Sequence, residues 1–489
     1  MDKNKKIFII FFISISVFRM IYVNFVPLVP QEAYYWKYAK NLALSYFDHP
    51  PMAAWIIAFF TALGSDSVFF IRLGSIMLSA GLMFLIYEIT IRLFNSSKWA
   101  LLAVIIINCS VLFPIGATII TPDVPLLFFW ALIIYFLIRL NESQHWKWWY
   151  FTGIALGLGL LSKYTAILIV PGIFLYILLS KVQRRWLFTI HPYLGLFLAF
   201  LVFTPVLIWN YQHEWASFMF QSSRRFSGMY RMRFDFFFQL IGSQMLMLTP
   251  YIFFLAISGW IYVGKKGFKE KVDNLSLLFW ISLPVYFVFT LASFRSLAKM
   301  NWLAPAYITS IIAGVFWMQS AGTTWSNRFK KWLKPGLSFG LLIVLFMHLL
   351  PIVPMFPIRR GDTWTGWKEL AQRIEKMKSE MGDDTFIFGH EYKIPSEITF
   401  YTPNHEETHS GEIIGEKGLQ YTYWTNIDEL INKDAIFVTS NAHRYRKMKK
   451  LQAHFDKIEE APPLVISHHN KLFRKFYIYR CYGYKGVNQ

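Results

Sequence analysis

Cysteine is nearly absent. Cys109 and Cys481 are the only two in 489 residues, so no disulfide framework holds the chain together. Charge is scarce as well: Asp, Glu, Lys and Arg make up 16% of the residues, against 55% hydrophobic and 19% aromatic, with a mean hydropathy of +0.37. A soluble chain of this length carries more charge and fewer uninterrupted apolar runs. Negative charge is the scarcer sign, with 29 acidic against 49 basic residues and a net charge of +20. That excess does not signal nucleic acid, because much of it lies in short loops between apolar runs, where Lys and Arg mark the cytoplasmic side of a membrane. Internal repeats and low-complexity segments are lacking. So is a convincing cleavage site after the apolar run at residues 7–29, which therefore reads as a retained first span.

What is present is a series of about eleven apolar runs, beginning near residues 7, 67, 99, 124, 148, 165, 189, 236, 275, 302 and 335. A hydrocarbon core of about 30 Å takes about 20 residues per helix, so the chain reads as a polytopic α-helical membrane protein. Lys3, Lys5, Lys6, Arg184, Arg185, "KKGFKEK" (265–271), Arg328, Lys330, Lys331 and Lys334 set the inner side. The N-terminus is then cytoplasmic and everything after the eleventh span is outside, at the cell inner (plasma) membrane. Residues 1–357 form the membrane part and 358–489 a small extracytoplasmic α/β domain. In that domain 367–381 and 442–461 have helical patterns, while 385–389, 435–440 and 475–482 read as strands. "PMAAWIIAFFTALG" (51–64) is short for a span and suits an interfacial helix, and 210–235 reads as a polar outer loop.

This alternation gathers polar residues from five loops on one outer face. They are Glu32, Asp48 and His49; Asp123 in "TPDVP"; Lys163 in "LSKYT"; His213, Glu214, Arg224, Arg225, Arg231 and Arg233; and Arg295 with Lys299 in "FRSLAKMNW". Cations outside oppose the positive-inside bias. Anionic phosphate at the membrane surface gives them a use, since Arg offers a planar fork and Lys a point charge. Carboxylates there take a proton from a hydroxyl nucleophile. Each residue also has a plain structural role open to it: Glu32 as a helix cap, Asp123 as a turn former between prolines, Lys163 snorkelling, the arginines holding anionic lipid, and His213 as a hydrogen-bonded structural side chain. A transporter or lipid flippase is the rival class. It places ionisable groups near the bilayer midplane, whereas here they sit at the outer ends of spans. A membrane scaffold leaves the outer cluster without a cause.

"QEAYYWKYAKNLALSYFDHPPMAAW", "TPDVPLLFFWAL", "GLGLLSKYTAILIVP", "WNYQHEWASFMFQ" and "KMNWLAPAY", in this order, resemble the GT-C membrane glycosyltransferases. More narrowly, they are similar to the bacterial branch of the dolichyl-phosphate-mannose–protein mannosyltransferase superfamily, which includes lipid A aminoarabinose transferases. The resemblance covers residues 7–320. It implies the GT-C fold, a polyprenyl-phosphate-sugar donor such as undecaprenyl phosphate, inversion at the anomeric carbon, and a periplasmic or extracellular site. The acceptor is a lipopolysaccharide-type glycolipid, another envelope glycan or a protein. Where the family carries an acidic pair in the first outer loop, this chain has Gln31 followed by Glu32. Glutamine is no base, and one step along a helix turns the side chain by about 100°. The general base is therefore Glu32, Asp123 or Asp48, in that order of preference. Lys163 matches a family lysine at the lipid phosphate, and His49 stands where a lysine is frequent. Tyr35, His213, Arg224, Arg225, Arg295 and Lys299 complete the expected binding set. No nucleotide or redox cofactor is required. The chemistry admits a divalent cation, although "FDHPP" and "QHEW" lack a ligand spacing that demands one.

Overall fold

The computed structural model describes residues 2–226, 232–355, 363–441, 449–468 and 470–487. The chain divides into two compact units. The first comprises residues 1–23 and 43–349, and the second residues 24–42 and 350–489.

The first unit is helical. Each apolar run of the sequence forms a helix, because a continuous apolar stretch hides its backbone polar groups only by internal hydrogen bonding. Among the described residues, five helices are long and apolar enough to cross a membrane: Val68–Phe94, Asp123–Ser143, His191–Gln212, Asp273–Ser293 and Thr324–Leu349. A sixth is obtained if Phe234–Leu248 and Pro250–Glu270 count as one span. That run, expected as a single helix, is bent by 107°. The break sits at Thr249, held at φ 67 and ψ 150 ahead of Pro250. The remaining runs form Lys3–Tyr22, Ser97–Asn108, Lys147–Ser162, Ile169–Leu179 and Ala304–Ser320, with a 3-10 turn at Tyr164–Leu168. Close helix contact rests on glycine. A Cβ on Gly153 would lie 2.0 Å from the Gly195 carbonyl oxygen, and one on Gly259 would lie 2.2 Å from the Gly314 nitrogen. Small residues at helix crossings are a common device of membrane bundles. Met52–Leu63 is a separate short helix. The expected polar loop at 210–235 is partly ordered as helix Ala216–Phe226, entered by a tight turn with Glu214 and Trp215 at positive φ. Arg231 lies outside the described residues.

The second unit is an α/β layer. Among its described residues are five strands, β1 Phe386–Gly389, β2 Thr408–His409, β3 Ala435–Thr439, β4 Phe455–His468 and β5 Lys471–Tyr484, in the order β2-β1-β3-β5-β4. The first two neighbours of β1 run parallel to it, and β5 is antiparallel to both β3 and β4. Trp367, Leu370, Ile374 and Met377 of helix Trp367–Met381 cover one sheet face with Ile387, Ile436 and Ile478. Phe388, Phe437, Ile413 and Tyr484 form the core on the other. The strands expected at 385–389, 435–440 and 475–482 are present. The helix expected over 442–461 is not: residues 442–448 are outside the description, only Lys449–His454 is helical, and Phe455 opens β4. Pairing with β5 overrides the local helical pattern, and Pro462 and Pro463 fall in a register shift between Ala461 and Leu464, where a missing N–H is tolerated.

Helix Pro30–Lys40 belongs to this second unit. It lies on helix Lys393–Tyr401, and it is tied by Leu28 N–H to the Tyr401 hydroxyl at 3.2 Å and by the Tyr34 hydroxyl to Gln420 N–H at 3.0 Å. The Lys37 ammonium is buried, donating to the Thr408 carbonyl at 2.8 Å and sitting 4.3 Å above the Tyr421 ring. Burial lowers its pKa to about 8, against the opposing pull of Glu407 and Glu412.

Candidate functional site

Asp123 is the first residue of helix Asp123–Ser143, where a carboxylate is favoured by the helix dipole. Lys163 follows the end of Lys147–Ser162 in extended backbone, φ −159 and ψ 134, which projects it away from the helix axis. The two meet. Lys163 Nζ donates to Asp123 Oδ1 at 2.7 Å, with side chains 14% and 17% exposed. The other oxygen is also engaged: Asn301 Nδ2 donates to Asp123 Oδ2 at 2.7 Å. A carboxylate has about four acceptor positions, and two of these are now committed to fixing Asp123 against Lys163. Asn301 was not among the expected site residues. The signal was its place in "KMNWLAPAY" beside Lys299, just before helix Ala304–Ser320.

The loop bearing Asp48 and His49 reaches the same charges. Asp48 is buried, with its carboxylate 3.9 Å from His49 Nε2. His49 is partly buried, and desolvation lowers its pKa to about 4. Lys163 and Lys299 push in the same direction, while Asp48 and Asp123 oppose. His49 is therefore neutral at pH 7 and does not replace the cation of a lysine. Sequence reasoning left its charge open, and burial decides it.

Helix Ala216–Phe226 docks on this loop. Gln221 Nε2 donates to the Asp48 carbonyl at 2.8 Å, Phe220 packs on Phe47 with ring centroids 4.6 Å apart, and Ser217 shares a 2.8 Å hydrogen bond with Tyr164, the residue after Lys163. Arg224 and Arg225 lie one turn further along this helix; their side chains are outside the described residues. His213 keeps a structural role: its Nδ1 lies 2.8 Å from the Trp209 carbonyl and its ring stacks on Trp209 at 4.0 Å. Lys299 and Arg295 are exposed, Lys299 close enough to influence His49.

Glu32 and Tyr35 sit on helix Pro30–Lys40 in the second unit. Glu32 is fully buried, and its Oε2 accepts the Val29 N–H at 3.1 Å, so the capping role is realised. Tyr35 packs among Tyr34 and Tyr38.

Two buried arginines escaped the sequence reading. Arg72 is fully buried, with Nη1 donating to the Val23 carbonyl at 3.3 Å. Arg19 is 4% exposed, with Nη2 donating to Asn108 Oδ1 at 2.8 Å and Nη1 3.8 Å from Met83 Sδ. The available signal was a lone arginine inside an apolar run, costly unless it has a use. Arg19 lines a cavity of about 250 Å³, which Asp123 and Asn301 also line. Among the described residues, no group of three or more His, Cys, Asp or Glu side chains is placed to hold a metal ion.

Comparison with known proteins gives the arrangement a context. The sequence profile of the family described as dolichyl-phosphate-mannose-protein mannosyltransferase matches residues 48–209, a span that contains Asp48, His49, Asp123 and Lys163. The lipid A galacturonosyltransferase RgtD of Rhizobium johnstonii is 26% identical over 393 residues, covering 77% of this chain and 78% of that one. The undecaprenyl phosphate-alpha-4-amino-4-deoxy-L-arabinose arabinosyl transferase of Serratia proteamaculans is 25% identical over 343 residues, covering 66% and 59%. In fold, the chain is similar to ArnT from Cupriavidus metallidurans bound to undecaprenyl phosphate, with a TM-score of 0.63 at 12% identity over 96% of this chain and 97% of that one.

Proposed function

We propose that this chain is a GT-C membrane glycosyltransferase working with polyprenyl-phosphate-linked sugars, and that it moves a sugar from undecaprenyl phosphate to a lipid A-type glycolipid; the family match and the relatives named above support this reading. The observation that carries this reading is the convergence of Asp48, His49, Asp123, Lys163 and Lys299, from four separate loops, around one ion pair. The relatives named above act on lipid A or take an undecaprenyl-phosphate-linked sugar, which supports the same donor and acceptor here. Their two sugars, a uronic acid and an amino sugar, carry opposite charges.

In the proposed reaction, the bond between the anomeric carbon and the phosphate oxygen breaks, and the electron pair leaves with the lipid phosphate. The acceptor hydroxyl attacks the opposite face, which inverts the centre. Lys163, steered by Asp123 and Asn301, stabilises the charge gathering on the phosphate, with Lys299, Arg224, Arg225 and Arg295 as further cations. His49 serves as a neutral hydrogen-bonding group. The acceptor proton goes to a carboxylate. Asp48 is the first choice, because Asp123 is engaged in holding Lys163 and Glu32 in capping the Val29 N–H. No organic cofactor is needed, and full turnover in the presence of a chelator is expected; loss of turnover on chelation, restored by a divalent cation, would add a metal to the mechanism.

We place the protein in the inner membrane with eleven spans, the N-terminus inside, and residues 358–489 outside together with the site. The decisive experiment incubates the purified protein with an undecaprenyl-phosphate sugar and a lipid A acceptor. Mass spectrometry should show the acceptor gaining one sugar. An unchanged acceptor, with donors of every sugar class tried, would refute the reading.

A further inference from the structure

A further cavity, of about 190 Å³, lies at the end of the helices away from Asp123 and Lys163. Helix Ile169–Leu179 follows the 3-10 turn beside Lys163, and its last residue borders this cavity. The facing wall comes from the junction between helices Pro250–Glu270 and Asp273–Ser293. Arg184 and residues 265–271 are among the loop charges that mark the inner side of the membrane.

Three cations line the cavity: Lys181, Arg184 and Lys271. Lys181 and Arg184 come from the turn after Leu179. Lys271 stands across from them, ending its helix in left-handed backbone at φ 56. Among the described residues, no carboxylate lies within ion-pair distance of any of the three. Glu270 pairs instead with Lys266 at 3.7 Å. Asp273, the acid that lines the cavity, accepts from Ser180 Oγ at 2.6 Å and Gln183 Nε2 at 3.4 Å. Arg184 Nε donates to the Leu178 carbonyl at 2.9 Å, which orients its guanidinium. Three positive charges against one carboxylate select an anion. The mouth says which kind. Leu179 and Phe268 line the cavity while 48% and 51% exposed, and Phe188, on the adjoining turn Gln183–Phe188, is 85% exposed. Apolar side chains exposed at the edge of a membrane bundle meet acyl chains. The volume falls below the roughly 300–1,000 Å³ of ordinary small-molecule pockets, so it takes a headgroup and leaves the chains outside.

We propose that this cavity binds the headgroup of an anionic phospholipid of the inner leaflet, with the phosphate among Lys181, Arg184 and Lys271 and the acyl chains along Leu179 and Phe268. Arg supplies a fork for two phosphate oxygens, and the lysines supply point charges. Basic pockets between membrane helices on the cytoplasmic side are suited to acidic headgroups. A zwitterionic lipid brings its ammonium toward the same cations and binds more weakly. The bound lipid ties the turn after Leu179 to the start of helix Asp273–Ser293. The inference does not depend on the transferase reading.

The test titrates the intact purified protein in detergent with phosphatidylglycerol, phosphatidylethanolamine and phosphatidylcholine of identical acyl chains, and reads one-to-one complexes by native mass spectrometry. Wild type should prefer phosphatidylglycerol over the other two by about 10- to 100-fold. At about fivefold per cation, K181Q/R184Q/K271Q should weaken phosphatidylglycerol binding about 100-fold and leave phosphatidylcholine binding unchanged. K265Q/K269Q alters two exposed lysines of the same end that do not line the cavity; screening by salt should hold its effect below about threefold. Glycerol 3-phosphate and inorganic phosphate should not displace the lipid. Equal affinity of wild type for the three lipids overturns the proposal, and this result needs no variant to fold. An equal loss in both sets of variants also overturns it, since the attraction would then be diffuse. Displacement by either soluble phosphate would make the occupant a free phosphate compound and overturn the lipid assignment.

Discussion

At the scale of single residues, the Asp123–Lys163 pair is the feature most open to test. It is mostly buried, so removing one partner strands the other. Fully buried pairs lose about 3–5 kcal/mol on such a change; with 14–17% exposure we expect D123N and K163M each to cost about 1–3 kcal/mol, less than that buried limit. The double variant should recover most of the thermal stability in detergent but none of the turnover. A double variant as active as wild type would remove the pair from the reaction. His49 gives a second test through pH. Its pKa is lowered to about 4, below the ordinary 6.5 that it regains on unfolding. Between those values the unfolded chain binds a proton that the folded chain does not, so stability falls as pH drops from about 6.5 to about 4 and levels off below. H49Q should flatten that part of the curve of unfolding midpoint against pH. The residues themselves were legible in the sequence to an uneven degree. Asp123 and Lys163 stood out as polar groups in very short turns. Asn301 did not, because an amide in a turn is unremarkable until its partner is seen, and Arg19 and Arg72 were lost in apolar runs whose length was the louder signal.

At the scale of elements, the break at Thr249 carries a strain prediction. A β-branched residue at φ 67 and ψ 150 occupies a region nearly reserved for glycine, at about 1–3 kcal/mol. Its hydroxyl is buried without a hydrogen bond. T249G relieves both, offset by about 0.5–1 kcal/mol of added chain entropy. We expect a small rise in unfolding temperature with the bend intact; a fall would mean that the threonine holds the bend. Sequence periodicity found nearly every helix because apolar runs in a membrane leave the backbone no alternative. It could not find this bend, which a single backbone conformation produces inside a continuous apolar run. The mistaken helix at 455–461 has the reverse cause: a local pattern rich in Lys and Glu gave way to pairing with β5, which lies beyond any local window.

For the molecule as a whole, orientation is the main expectation. A reporter fused after Gln489 should be active only outside the cytoplasm, and one inserted within 265–271 only inside it. The opposite result would invert the site along with the topology. Loop charge was sufficient to argue the side of each turn, since Lys and Arg concentrate on alternate loops. It said nothing of how the first outer loop is divided. Residues 24–42 join the C-terminal unit, while Asp48 and His49 stay with the helices, and this depends on contacts hundreds of residues apart.

That division has a consequence for how the protein is made. Helix Pro30–Lys40 emerges from the ribosome about 350 residues before the strands with which it forms one unit, an interval of ~17–70 s at the usual rate of synthesis. Through that time Tyr34, Trp36 and Lys37, all buried in the finished protein, have no domain to enter. A chain stopped after Leu349 should therefore be cut by protease within residues 30–40 when the full chain is not. Equal protection in both would show that the helix finds its shelter without the C-terminal domain.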